Sequence, residues 1–106
     1  MANALSDVQA TFLSLDSQYI VLRAACKTDT QRDLLGAQYS AAQLNYQSTL
    51  NATLADDDAQ VAALSKQLKA ANAEVVRATV EMGDISKVIT NITTAVTLGA
   101  KLVAMA

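Results

Sequence analysis

The chain reads as an all-α protein, an antiparallel, coiled-coil-like bundle of three long helices, and three observations predict it. First, Val61, Leu64, Leu68, Ala71, Val75, Ala78, Met82, Ile85, Ile89, Ile92, Val96, Gly99 and Val103 follow alternating steps of four and three. That spacing keeps one apolar stripe on one helix face, which another helix must cover. Second, no proline and only three glycines interrupt the 106 residues, and the abundant Ala, Leu, Gln and Lys favour helix. Third, 52% hydrophobic but only 4% aromatic residues imply a real core that is aliphatic and Ala-rich. The length fits a single domain spanning residues 1–106.

The first helix is expected over about residues 5–26, where Leu5, Val8, Phe12, Leu15, Tyr19, Leu22 and Cys26 keep the same spacing. Ser6 or Asp7 caps or charges its first turn, and Arg23 and Lys27 suit the negative end of its dipole. Ile20 and Val21 widen the stripe, which implies contact with two neighbours.

The segment Lys27-Thr28-Asp29-Thr30 reads as a turn, with Thr28 and Gln31 at capping-box spacing. A second helix follows over about residues 29–54, with Leu35, Tyr39, Ala42, Tyr46, Leu50 and Leu54 on one face and Gln38, Gln43, Asn45 and Gln47 as its polar complement. Tyr39 and Tyr46 lie one heptad apart and should face the same neighbour. Gly36, inside this helix, costs about 1 kcal/mol against alanine, a cost that close approach by another helix would explain.

Asp56-Asp57-Asp58 places three acids where the exposed amides of a next helix carry partial positive charge, a start signal. On the outer face of that helix, Glu74/Arg77 and Arg77/Glu81 stand at pairing distance. Gly83-Asp84 is the ambiguous joint. A left-handed Gly83 followed by an Asp84 N-cap would give four helices. The register passes through Gly83 unbroken, however, and this favours one third helix over about residues 57–105, about 70 Å long. Part of such a rod's stripe would stay uncovered by the hairpin before it and would recruit another chain.

The tail from Ile85 to Ala106 holds no acid and only Lys87 and Lys101, while Val88, Ile89, Ile92, Val96, Leu98, Leu102 and Val103 cover more than half its circumference. It is expected to be central or oligomer-facing, with Thr90, Thr93, Thr94 and Thr97 bonding their own helix carbonyls. As a membrane span it is poor, because Val88 to Ala100 falls short of about 20 apolar residues and is laced with Thr and Asn.

Catalytic chemistry finds few candidates. The chain has no histidine, and its one cysteine, Cys26, lacks a base and suits a small buried hydrophobe. Asp16, Asp29 and Asp33 could meet Lys27 or Arg32, but no spacing requires it. The acids at 56–58 lack the glycine-punctuated loop of a calcium site, so no metal and no cofactor is expected. A net charge of -2 with mixed signs offers no basic patch for nucleic acid. Asn51-Ala-Thr53 and Asn91-Ile-Thr93 match a glycosylation pattern but fall within expected helices. Met1 to Ser6 shows no charged segment followed by an apolar run. A cytoplasmic location is therefore the default expectation, with signal-independent secretion left open.

In style, a small, Ala-rich, histidine-free helical chain resembles the helical-hairpin components of bacterial secretion or toxin systems, although no motif assigns a family. The functional expectation is a non-enzymatic association module: a structural subunit, adaptor or small chaperone-like protein. It would bind protein and itself through Leu64, Leu68, Ile85, Ile89, Ile92, Val96 and Val103. The competing expectations are a membrane-contacting or pore-forming component that uses the helix over 85–106, and a small inhibitor of a partner protein.

Overall fold

A computed structural model describes residues 4–55, 57–81 and 83–106. Among these the chain forms four helices, α1 (Ala4–Ala25), α2 (Asp29–Thr49), α3 (Ala59–Glu81) and α4 (Ile85–Ala104), packed into a body of 42 × 22 × 19 Å. The all-helical expectation holds. The bundle of three long helices does not, because the third breaks in two and gives the four-helix alternative.

The starts of α2, α3 and α4 are each set by a side chain. Thr28 accepts from the Gln31 amide at 3.1 Å, and the Gln31 side chain reaches back to the Lys27 and Thr28 amides, completing the capping box. Asp58 accepts from the amides of Gln60 and Val61 at 2.9 and 3.2 Å and so starts α3. Asp56 lies outside the described residues, and Asp57 is exposed. At the end of α2 the structure departs from the pattern. The helix stops at Thr49, short of Leu54. Thr49 turns into the protein and gives its hydroxyl to the Tyr46 carbonyl at 2.6 Å. Leu54 then packs against the core from the connecting segment, so a loop residue kept the helical spacing alive on paper.

The break before α4 follows the same logic. Asp84 is extended (φ -139°, ψ 112°) and its carboxylate accepts from the Ser86 amide at 2.9 Å. Gly83 is not left-handed, and a Cβ there would meet nothing within 4 Å, so the aspartate makes the new start and the glycine merely permits it. Met82, the remaining member of the seam at this joint, lies outside the described residues. The unbroken register misled because periodicity reports which face is buried and not which way the chain runs. Ala78 and Ile85 stand one heptad apart although the chain reverses between them.

Consecutive helices run antiparallel. Asp7 meets Ser65 and Thr11 meets Asn72, so α1 and α3 are parallel neighbours; Gln31 meets Ser86 and Asn45 meets Val96, so α2 and α4 are too. Around the bundle the order is therefore α1, α2, α4, α3. The contacts make its section a rhombus: α1 and α4 touch across one diagonal, while α2 and α3 stay apart on the other. The link over residues 50–58 crosses one end of it.

The fully buried core is chiefly aliphatic. Leu15, Leu22, Leu35, Leu68, Ile92 and Leu102 are its largest fully buried side chains, joined by Val8 and Val88; each such burial contributes about 1.5–3 kcal/mol. Cys26 is buried as expected and donates to the Leu22 carbonyl.

Candidate interaction surface

The residues expected to bind a partner are brought together, but inward. Leu68, Ile85, Ile89, Ile92 and Val96 are buried, and Leu64 and Val103 are half-buried against the same core. The stripe continued after Gly83 is covered by this chain's own helices, because α4 folds back between the other three. Thr90, Thr93 and Thr94 do bond the carbonyls of Ser86, Ile89 and Thr90. No helix among the described residues is long and apolar enough to cross a membrane.

Ile20 and Val21, read as contacts to two neighbours, are instead 83% and 54% exposed. At 100° per residue they stand well over a quarter-turn from the Leu15–Leu22 direction that faces the core, so the widened stripe extends onto the surface. On α3 the same geometry places Val76 (50% exposed) and Val80 (80% exposed) beside the seam with α1. There they line a cleft of about 130 Å³ with Leu15, Leu22 and Val75 as its apolar wall and Ser14, Gln18 and Thr79 as uncharged rim. The sequence did carry a signal for these two valines: both are apolar and lie off the heptad seam.

The other end of the α1–α3 seam is polar. Asp7, in the first turn of α1, is buried rather than capping, and accepts from the Ser65 hydroxyl at 2.6 Å with the Lys69 ammonium at 3.8 Å. Asn72 donates to the Asp7 carbonyl at 3.1 Å and accepts from the Thr11 hydroxyl at 2.6 Å. The four side chains form a ladder across two helices that have aliphatic residues at most other inward positions.

The α1–α2 seam is aromatic. Phe12 packs on both Tyr39 and Tyr46 with ring centroids 5.6 and 5.1 Å apart, as the heptad spacing of the tyrosines requires, and Tyr19 packs on Tyr39 with centroids 4.4 Å apart and the rings tilted by 45°. The Tyr39 hydroxyl donates to Asp16, which holds its pKa above the usual tyrosine value. Gly36 is no point of close approach, since a Cβ there would sit 3.7 Å from the Tyr19 hydroxyl, an ordinary contact. The close approach occurs at Gly99, where a Cβ would stand 3.3 Å from Asn45 Nδ2. That same amide donates to the Val96 carbonyl at 3.1 Å.

The surface ion pairs form as spaced. Arg77 bonds Glu74 and Glu81, which lowers the Glu74 pKa and raises that of Arg77, and Arg32 lowers Asp29 in the same way. Arg77, Glu74 and Glu81 also line an open groove between α3 and α4, where the guanidinium is already engaged by two carboxylates. Asp29 meets Arg32, which also feels the charge of Asp33, whereas Asp16 serves Tyr39 instead, so the three acids do not gather at one place. Among the described residues no cluster of His, Cys, Asp and Glu could hold a metal ion. No protein family, curated protein or solved structure matches the chain.

Proposed function

We propose that the chain is a non-enzymatic association module, a structural or adaptor-type helical bundle that binds protein, a second copy of itself included, through the α1–α3 face. One observation carries this reading: the exposed pair Val76 and Val80, one turn apart, form the lip of a cleft whose wall is the buried Leu15 and Leu22 and whose rim is uncharged. Single exposed aliphatics are ordinary on any surface, whereas apolar lips on an apolar cleft suit the insertion of a partner's side chains. The heptad stripes build the bundle in cis, and the residues off the stripe present the outward face.

The test is solution mass by light scattering across a concentration series, for wild type and for Val76→Ser/Val80→Ser. Wild type is expected to exceed the monomer mass as concentration rises. The double variant is expected to stay monomeric with unchanged helical circular dichroism, since both positions are exposed. A wild type that remains monomeric throughout, or a double variant that assembles equally well, defeats the proposal. Flotation of wild type with liposomes would point to a membrane surface instead.

A further inference from the structure

We infer that the Asp7–Ser65–Asn72–Thr11 ladder is a topological selector, the device that places α1 parallel to and in register with α3 and so fixes the order α1, α2, α4, α3. The aliphatic core alone does not decide this. Hydrophobic contact is non-directional, and the two hairpins, α1–α2 and α3–α4, could also dock with the second one turned over, bringing α3 beside α2. Either docking buries aliphatic stripes, and cores of suitable volume tolerate rearrangement before they lose stability.

Hydrogen bonds discriminate where burial does not. Apart from Thr49, the buried polar residues described are Asp7, Thr11 and Ser65, and all three lie in this seam. Asp7 and Thr11 stand one turn apart on α1 and meet Ser65 and Asn72 on α3 with bonds of 2.6 Å each. Within this arrangement no buried side-chain oxygen or nitrogen among the described residues lacks a partner. In the turned-over docking α3 would face α2 and α4 would stand beside α1, where its buried residues Ala95, Val96, Leu98, Gly99 and Leu102 offer Asp7 no side-chain donor. Asp7 would then lose Ser65 and Lys69 together. An ionised carboxylate buried without partners is strongly disfavoured, so the ladder penalises the alternative more than it strengthens the native state. One buried polar contact that fixes register is a known use of such groups in helical assemblies.

The experiment replaces the ladder by apolar groups, Asp7→Leu/Thr11→Val/Ser65→Ala/Asn72→Leu. Spin labels on cysteines at the exposed positions Ser17 and Ala73, in a Cys26→Ala background, report the α1–α3 distance. The unaltered ladder should give one short distance. The apolar variant is expected to keep its helical content and a thermal midpoint at or above that of wild type. Its distance distribution should split into a short and a longer population, with doubled amide signals in NMR spectra. A variant that keeps the single short distance overturns the inference. So does one that loses its helices, because the ladder would then supply stability and not selection. Asp7→Asn, which preserves an acceptor for Ser65, should retain the single population, and a split there would also overturn the hydrogen-bond basis.

Discussion

Helices α2 and α4 are nearly equal in length, 21 and 20 residues, yet they are employed in opposite ways. In α4 burial runs through Ile85, Val88, Ile89, Ile92, Ala95, Val96, Leu98, Gly99 and Leu102; in α2 it is confined to Leu35, Ala42 and Thr49. Position contributes to the difference. On the short diagonal α4 touches every other helix, whereas α2 touches only α1 and α4. A helix with three neighbours can bury apolar residues over most of its circumference, and one with two neighbours can fill the remainder with Gln, Asn and Ser. Position permits this apolarity without setting it alone, since α1 shares the diagonal yet has Asp7 and Thr11 among its buried residues; the buried residues of the tail are covered by helices of this chain.

The largest effect that would break this comparison comes from Ile92→Asp in α4. Ile92 is 1% exposed, and an unpaired carboxylate there should cost more than about 4–5 kcal/mol, enough to unfold a small domain. Loss of helical circular dichroism and of a cooperative thermal transition is the expected outcome. A folded Ile92→Asp chain that had merely changed its oligomeric mass would instead restore the idea that α4 faces a partner. On α2 the matching change, Leu44→Asp, falls on a residue 64% exposed and should leave the fold intact.

A smaller effect separates the two helices at their glycines. Gly99→Val adds two methyl groups beyond the Cβ that already stands 3.3 Å from Asn45 Nδ2 and 3.6 Å from a Val8 methyl. Overpacking of this kind costs about 1–3 kcal/mol. The Asn45 bond to the Val96 carbonyl should break with it, visible as a lost protected side-chain amide in NMR spectra. An unchanged denaturation midpoint would mean that the α1–α4 and α2–α4 approaches are looser than these distances describe.

Much of this architecture was legible in the residues themselves. The stripe of α4, the Thr28–Gln31 capping box, the start near Asp58, the burial of Cys26 and the shared neighbour of Tyr39 and Tyr46 each follow from local rules that act within a turn or two. What escaped were matters of direction and of solid geometry. Heptad spacing cannot tell a reversal at Asp84 from a continuing rod, because both keep Ala78 and Ile85 on the buried side. Asp7 stands four residues before Thr11 and reads as a first-turn acid. Only the parallel placement of α3, distant in sequence, turns it into a buried acceptor. The outward valines were visible as apolar residues off the seam, but whether Val80 met a neighbour or solvent depended on where α1 lay.

The smallest expected effect is a gain in stability, and it lies on α2. Gly36 sits inside a helix with ample room for a Cβ, and no left-handed backbone requires it. Alanine there removes backbone freedom from the unfolded chain and should stabilise by about 0.5–1 kcal/mol, read as a higher denaturant midpoint at constant slope. The sign is the informative part, because the same family of substitution lowers stability at Gly99. If Gly36→Ala were destabilising, the Tyr19 hydroxyl would have to press closer on α2 than 3.7 Å, and the α1–α2 seam would be as tightly constrained as those around α4.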